Sequence, residues 1–125
     1  MKRMARVLLG LLLVAACGGG DDGESTSGED VVVQMFDNRY EFTEVSVPVG
    51  GTVTFVGAGR NPHNAVAADG SWSTEDVFGS LEQLEGEEAV LTFDEAGEYV
   101  FFCTFHGNAE GDGMAGTLVV GPPDE

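Results

Sequence analysis

The sequence has few basic residues and few residues that bind metals, and each shortage excludes a class of function. Lys and Arg number 5 against 22 Asp and Glu, and the formal net charge is −17. The negative electrostatic field of such a chain repels nucleic acid and acidic membrane surfaces. We therefore expect a monomer with no nucleic-acid partner and with redox partners that present a cationic docking surface. Solvation of the surface alone and adaptation to high salt are alternative explanations of the acidity. With only 2 histidines, the chain also lacks the His-x-His pairs that a multi-copper oxidase would need.

Long apolar runs are also missing, apart from one near the amino terminus. Val7 to Ala16 is mostly apolar and follows three basic residues within the first six positions. This run is shorter than the roughly 20 residues that a membrane-spanning helix requires. A short apolar segment behind a cationic start is typical of a secretory signal. We therefore interpret residues 1–16 as a signal peptide.

The end of this signal resembles a bacterial lipobox, with Val14-Ala15-Ala16 directly before Cys17. In that motif cleavage precedes the cysteine, and the cysteine then carries a lipid. The resemblance implies lipid attachment at Cys17 and an extracytoplasmic protein that is anchored to the cell membrane. Ordinary cleavage after Ala16 is the alternative and would leave a free thiol. Because each cysteine has a separate context, we expect no disulfide between Cys17 and Cys103.

Residues 17–30 contain no large apolar side chain. A segment of small, polar and acidic residues cannot bury enough surface to fold, so we predict a flexible acidic tether here. The folded domain is predicted over residues 31–121, followed by a short tail over residues 122–125. A domain of this size has room for a single modest core.

Beyond the tether, short segments rich in β-branched and aromatic residues alternate with turn residues. This pattern is typical of sandwiches and barrels and predicts an all-β fold with about seven strands. Asp94 to Gly97 is expected to form a tight hairpin connection. Residues 69–87 are expected to form a short helical or irregular excursion over one side of the core. The predicted strands are Val31–Phe36, Val45–Val47, Thr52–Val56, His63–Ala68, Glu88–Phe93, Glu98–Cys103 and Gly116–Val120.

Two imidazoles, one thiolate and one thioether form the most informative set of side chains: His63, Cys103, His106 and Met114. Sulfur ligands favour Cu(I), and imidazole suits both Cu(I) and Cu(II). A trigonal arrangement of two histidines and a cysteine with a weak axial methionine can therefore hold copper in both oxidation states. The set predicts one copper ion, with one ligand far upstream and three in a single loop between the last two strands.

Zinc is the rival metal, since cysteine and histidine also suit tetrahedral zinc. Structural zinc sites favour more thiolates and rarely recruit methionine, so the donor set favours copper. Seven residues separate His106 from Met114, and a backbone carbonyl is an alternative axial ligand. Met114 is nevertheless the one methionine placed to serve, because the others lie in the signal or in the first predicted strand.

The ligands lie in segments that resemble the cupredoxin family, and its plastocyanin-like branch in particular. The resemblance rests on Asn61-Pro62-His63-Asn64, on Tyr99 to His106 and on Gly113 to Val120. It extends over essentially all of Val31 to Val120. The spacing of the ligands is its most specific part.

This resemblance implies a Greek-key β-sandwich with one type 1 copper that shuttles single electrons between larger redox partners. It also implies that Asn64, directly after the upstream ligand, helps to hold that loop and the thiolate. The carboxy-terminal histidine of such proteins lies in an apolar surface patch. We therefore expect electrons to leave through His106, with Phe105 and Pro62 beside it.

The function expected on these grounds is that of a one-electron carrier rather than an enzyme. No catalytic dyad is visible in the sequence, and a copper ion with four protein ligands has no open position for a substrate. The alternative is a copper-binding lipoprotein that stores the ion or delivers it elsewhere. Rigid cysteine ligation between strands argues against easy release.

Overall fold

The computed structural model of the chain describes residues 24–121. The predicted signal peptide, the lipid site at Cys17 and the tail over 122–125 lie outside the described residues and stay predictions. The described part contains nine strands and one helical turn, and it has no helix long and apolar enough to cross a membrane. In chain order they are β1 (Ser25–Ser27), β2 (Asp30–Phe36), β3 (Arg39–Tyr40), β4 (Glu44–Val47), β5 (Gly51–Gly57), β6 (Val66–Ala67), α1 (Glu75–Phe78), β7 (Glu88–Phe93), β8 (Gly97–Gly107) and β9 (Gly113–Val120).

The strands form two mixed sheets that face each other. One has five strands in the order β1-β4-β9-β8-β6, and the other has four in the order β3-β2-β5-β7. Buried residues alternate with exposed or partly exposed ones along β2, β5 and β7, which is the expected pattern for strands with one face against a core. The all-β sandwich is thereby confirmed, with nine strands rather than seven.

An aromatic cluster fills the space between the sheets. Phe55 and Phe101 contact each other edge to face with ring centroids 5.6 Å apart, and Tyr40 lies 4.8 Å from Phe101. Trp72 stacks on Phe55 at 6.1 Å. Trp72 belongs to the irregular excursion over residues 69–87, so that segment covers the core as expected, with α1 as its single helical turn.

The predicted hairpin at Asp94 to Gly97 is wrong. β7 pairs with β5 in the four-stranded sheet, whereas β8 pairs with β6 and β9 in the other sheet. The tetrapeptide therefore crosses from one sheet to the other. A crossover and a hairpin need the same turn residues, and only the pairing partners distinguish them.

The predicted tether extends too far into the domain. Ser25–Ser27 pairs in parallel with β4, and the amide of Gly28 donates to the carbonyl of Ser46 at 3.1 Å. Backbone hydrogen bonds, rather than buried apolar side chains, order this segment. A prediction based on hydrophobic burial placed the start of the domain at residue 31 for that reason, and the described fold already begins near residue 25.

Candidate metal centre

His63 lies in the loop that joins β5 to β6, and backbone hydrogen bonds fix its position. Its amide donates to the carbonyl of Gln83, and the amide of Gln83 donates back to its carbonyl, each at 3.1 Å. The segment predicted as a strand over His63–Ala68 thus reduces to this isolated bridge and the short β6. The side chain of His63 is fully buried, so the surrounding core restrains its ring.

Cys103 and His106 lie in a bulge near the end of β8. Phe102 pairs with Ala115 and Gly107 pairs with Gly113, with a register shift between these pairs. The four residues from Cys103 to His106 therefore lie opposite the single residue Met114. A bulge of this kind bends the strand and re-aims side chains. It turns two ligands of β8 and one of β9 toward the same point.

The donor atoms of three predicted ligands converge. Sγ of Cys103 lies 3.9 Å from Nδ1 of His63 and 3.9 Å from Nδ1 of His106. All three donors lie within 4.8 Å of one another. With the bond lengths of about 2.3 Å to sulfur and about 2.0–2.1 Å to nitrogen that first-row metals make, two donors in trigonal geometry lie about 3.8 Å apart. The observed separations therefore fit one shared ion.

Met114 completes the donor set. It is buried beside the three other ligands, with 1 % of its surface exposed. Two imidazoles, a thiolate and a nearby thioether are the donors that copper prefers. The fit to copper is therefore good in both donor type and spacing.

The residues inserted between His106 and Met114 fold back on themselves. Oδ1 of Asn108 accepts hydrogen bonds from the amides of Glu110 and Asp112, at 3.0 and 3.1 Å. The amide of Asn108 donates to the carbonyl of Asp112 at 3.2 Å. The insert is thus an extension of the β8–β9 hairpin with an exposed tip. Its extra length does not move Met114 away from the other ligands.

Glycines at the base of this tip are required by its geometry. Gly113 has a φ of +74°, in the left-handed region that favours glycine. A Cβ atom at Gly107 would collide with the backbone carbonyl of Met114. The Gly107–Gly113 pair therefore allows strands β8 and β9 to approach closely just beyond the ligands.

Asn64 connects the upstream ligand loop to the cysteine loop. Its Oδ1 accepts a hydrogen bond from the amide of Thr104 at 3.0 Å, and its Nδ2 donates to Oγ1 of Thr104 at 2.9 Å. Nδ2 also donates to the carbonyl of Leu81 at 2.9 Å. The side chain is fully buried. These contacts are those of a residue that holds the two ligand loops together, as the family resemblance implied.

The backbone carbonyl of Asn64 also accepts a hydrogen bond. The hydroxyl of Tyr40 donates to it at 2.7 Å, and both residues are buried. Burial, and to a lesser extent the nearby Cys103, raises the pKa of Tyr40 well above its ordinary value. The phenol therefore remains a neutral donor. Sequence reasoning did not find this contact, because nothing in the sequence around Tyr40 indicates that it meets a residue 24 positions away.

Asp37, in the turn between β2 and β3, is a second residue that sequence reasoning missed. Its Oδ1 accepts a hydrogen bond from Nε2 of His63 at 2.9 Å. The amides of Asn61 and Arg60 donate to its two carboxylate oxygens at 3.1 and 3.2 Å. The hydrogen bond from His63, followed by those from Asn61 and Arg60, lowers the pKa of Asp37 to about 2. The carboxylate is therefore ionised over the physiological range.

Of the two residues predicted to flank the electron exit, Phe105 lies beside His106. His106 is partly exposed, and the ring of Phe105 lies 6.4 Å from it with 46 % of its surface exposed. Pro62 is partly exposed and directly precedes the buried His63. His106 thus separates the site from solvent, whereas Cys103 and His63 are fully enclosed. Cys103 is a free cysteine.

A two-sheet sandwich with this donor set defines a mononuclear type 1 copper protein. Comparison with known proteins agrees: the family of copper binding proteins described as plastocyanin/azurin matches residues 29–121. The chain belongs to this family.

Individual relatives are similar to the chain at moderate identity. Amicyanin from Paracoccus denitrificans is 36% identical over 77 residues, which cover 61% of this chain and 57% of amicyanin. The chain thus spans little more than half the length of that relative. Plastocyanin from Scenedesmus fuscus is 34% identical over 86 residues, covering 65% of this chain and 85% of plastocyanin.

Solved structures show the same fold. A reduced amicyanin mutant has a TM-score of 0.55 at 32% identity, covering 72% of this chain and 80% of that one. A copper-containing nitrite reductase from Thermus scotoductus has a TM-score of 0.60 at 28% identity, covering 74% of this chain. The match covers only 22% of the reductase, so the likeness is to a small part of that enzyme.

Proposed function

We propose that the protein is a one-electron carrier between larger redox partners and that it is not an enzyme. The observation that carries this proposal is the convergence of three donor atoms, with Sγ of Cys103 lying 3.9 Å from Nδ1 of both His63 and His106. Copper bound there would supply a Cu(I)/Cu(II) couple. The chain's own part is to hold the donors fixed: Cys103 and His63 are both fully buried, the first on β8 and the second in a loop that backbone hydrogen bonds join to Gln83.

Fixed donors favour electron transfer over metal delivery. The bulge of β8, the Asn64 bridge and the Gln83 bridge each restrain a different part of the site. A site that does not rearrange can pass an electron with little reorganisation. Release of the ion would require at least one of these restraints to open. A storage or delivery protein, the alternative, would release its copper readily, and the experiment distinguishes the two.

The proposal is tested by voltammetry on the copper-loaded protein together with a chelator challenge. A carrier gives a reversible one-electron wave and keeps its ion when reduced in the presence of a Cu(I) chelator. A delivery protein loses the ion to the chelator within the time of the experiment. Loss of copper from the reduced protein, with no reversible wave, would contradict the carrier function.

We further propose that electrons pass through His106 and that the partners present a cationic surface. Support comes from the exposed Phe105 beside His106, and from the acidic hairpin tip that carries Glu110 and Asp112 near this ligand. The chain as a whole is also negatively charged, with a formal net charge of −17. Opposite charge on a partner would steer it toward the protein and increase the association rate.

Charge steering is measured with small inorganic oxidants of opposite sign. The reduced protein is mixed with a cationic cobalt(III) complex or with anionic ferricyanide at several salt concentrations. The rate with the cation should fall as salt rises, and the rate with the anion should rise. Equal salt dependence for both oxidants would reject a steering role for the acidic surface.

The predicted signal and lipobox support a third proposal, that lipidated Cys17 anchors the protein to the cell membrane outside the cytoplasm. Expression of the full chain and of the Cys17→Ala variant in a bacterial host tests it. The wild-type protein should fractionate with membranes and carry a mass increase at its amino terminus. The variant should lack this mass increase. A wild-type protein without the increase, or a variant that keeps it, would contradict the anchor.

A further inference from the structure

The two ring nitrogens of His63 face different partners. Nδ1 points toward the thiol of Cys103 at 3.9 Å, and Nε2 lies 2.9 Å from the carboxylate of Asp37. The ring is fully buried, whereas 34% of the Asp37 side chain is accessible to solvent. An Nε2 proton directed at the carboxylate leaves the lone pair of Nδ1 free for the metal.

Asp37 is itself held in place from three sides. The amides of Arg60 and Asn61 donate to its carboxylate. A Cβ atom at Gly59 would collide with its Oδ1, so glycine at that position makes room for the carboxylate. The turn between β2 and β3 and the loop that leads to His63 are thus joined at one side chain. Because these contacts fix the carboxylate independently of His63, the carboxylate can determine the orientation of the imidazole.

A carboxylate is a stronger acceptor than a neutral group. A hydrogen bond to an ionised acceptor is roughly twice as strong as one between neutral groups. It pulls the Nε2 proton toward the carboxylate and increases the electron density at Nδ1. A more basic Nδ1 stabilises Cu(II) more than Cu(I), because the ion of higher charge gains more from it. The partial exposure of Asp37 to solvent screens this effect without removing it.

We propose that Asp37 is the positioning residue of this site, which fixes the Nε2–H tautomer of His63 and lowers the reduction potential of the copper. The proposal rests on the carrier function proposed above. It assigns a specific determinant of the potential to a carboxylate from outside the ligand loops.

The test is the reduction potential of the copper-loaded Asp37→Asn variant. Asparagine keeps the size of the side chain and removes its charge. The affinity ratio of Cu(II) to Cu(I) should fall about tenfold, which raises the potential by about 59 mV for one electron. Asp69→Asn is the matched control. The carboxylate of Asp69 accepts hydrogen bonds from the amide and hydroxyl of Ser71, so this variant loses the same charge in an unrelated turn.

An unchanged potential in copper-loaded Asp37→Asn, or an equal shift in Asp69→Asn, overturns the proposal. The first result would mean that Asp37 only stabilises the loop it bonds to. The second would mean that the change in reduction potential comes from the lost negative charge, wherever that charge lies. A wild-type protein that gives no blue colour and no reversible wave would instead reject the carrier function. The two failures are therefore distinguishable.

If Asp37→Asn does not fold or does not bind copper, NMR of the reduced wild-type protein decides. Cu(I) is diamagnetic, so the Nε2 proton of His63 can be observed directly. A downfield proton with a coupling to the carboxyl carbon of Asp37 supports the proposal. An Nε2 proton without that coupling, exchanging with water as fast as the one on the partly exposed His106, overturns it.

Discussion

Asn64 and Thr104 are joined by two hydrogen bonds across 40 residues of sequence, one in each direction. Each residue directly follows a predicted copper ligand, His63 in one loop and Cys103 in the other. The pair thus restrains the distance between an imidazole and the thiolate without touching the ion. The rigidity of the centre depends on this bridge as well as on the strands.

Replacing Asn64 with alanine is expected to loosen this bridge. The amide of Thr104 would lose its acceptor at a part-buried position, at a cost of about 1–3 kcal/mol in the free energy of unfolding. Denaturant unfolding of the copper-loaded protein measures the change. Thr104→Val is the matched control: it removes only the hydroxyl acceptor and keeps the backbone bond, so its effect should be smaller. Equal losses in the two variants would refute the importance of the backbone bond.

Removal of the Tyr40 hydroxyl should destabilise the fold but leave the blue absorption of the Cu(II) protein unchanged. Tyr40→Phe leaves the buried carbonyl of Asn64 without this donor, which should cost about 1–3 kcal/mol. Tyr99→Phe is the control, because its hydroxyl bonds the carbonyl of Glu95 at an exposed position. Thermal unfolding should show a clear drop for the first variant and little change for the second. Similar drops in both would show that burial of the bond is unimportant.

The lowered pKa of Asp37 predicts how stability depends on pH. Its pKa is about 2 in the fold against an ordinary value of 3.8, so the folded state favours the ionised form. This contribution to stability is present above pH 3.8 and is lost as the pH falls toward 2. The stability difference between wild type and Asp37→Asn should therefore narrow between pH 4 and pH 2. A difference that is the same at pH 5 and at pH 2 would contradict this prediction.

Met114→Leu should keep the blue colour and raise the potential. Leucine fills a similar volume in this buried position but cannot donate to the ion, and loss of a weak axial donor favours Cu(I). A tenfold change in the affinity ratio corresponds to about 59 mV. Met35→Leu, a fully buried methionine in β2, is the control and should leave the potential unchanged. An unchanged potential in Met114→Leu would favour a backbone carbonyl as the axial ligand.

The ligands could be predicted from the sequence because their residue types are scarce. The chain has only 2 histidines and 2 cysteines, and one cysteine is assigned to the predicted lipid site. A soft metal site could therefore be assembled from very few candidates. Most strands were predictable because polar and apolar residues alternate in the sequence, as in Thr52–Val56. In the structure, buried residues alternate with partly buried ones along Gly51–Gly57.

Asp37 could not be predicted in the same way. The chain has 22 acidic residues, and nothing local distinguishes the one that meets His63 from those that face solvent. The strand Ser25–Ser27 was missed because its order comes from backbone pairing rather than from apolar burial. The crossover at residues 94–97 was missed because turn residues do not reveal which strands pair. Each of these features depends on long-range contacts.

The absorption spectrum of the copper-loaded protein tests the central claim most directly. A Cu(II) ion bonded to the thiolate of Cys103 in this trigonal site should give an intense blue charge-transfer band that disappears on reduction. Cys103→Ser should abolish both the band and the reversible redox couple, while the zinc-loaded protein should be colourless. A copper-loaded wild-type protein without the band, or a Cys103→Ser variant that keeps it, would contradict the assignment of the metal centre.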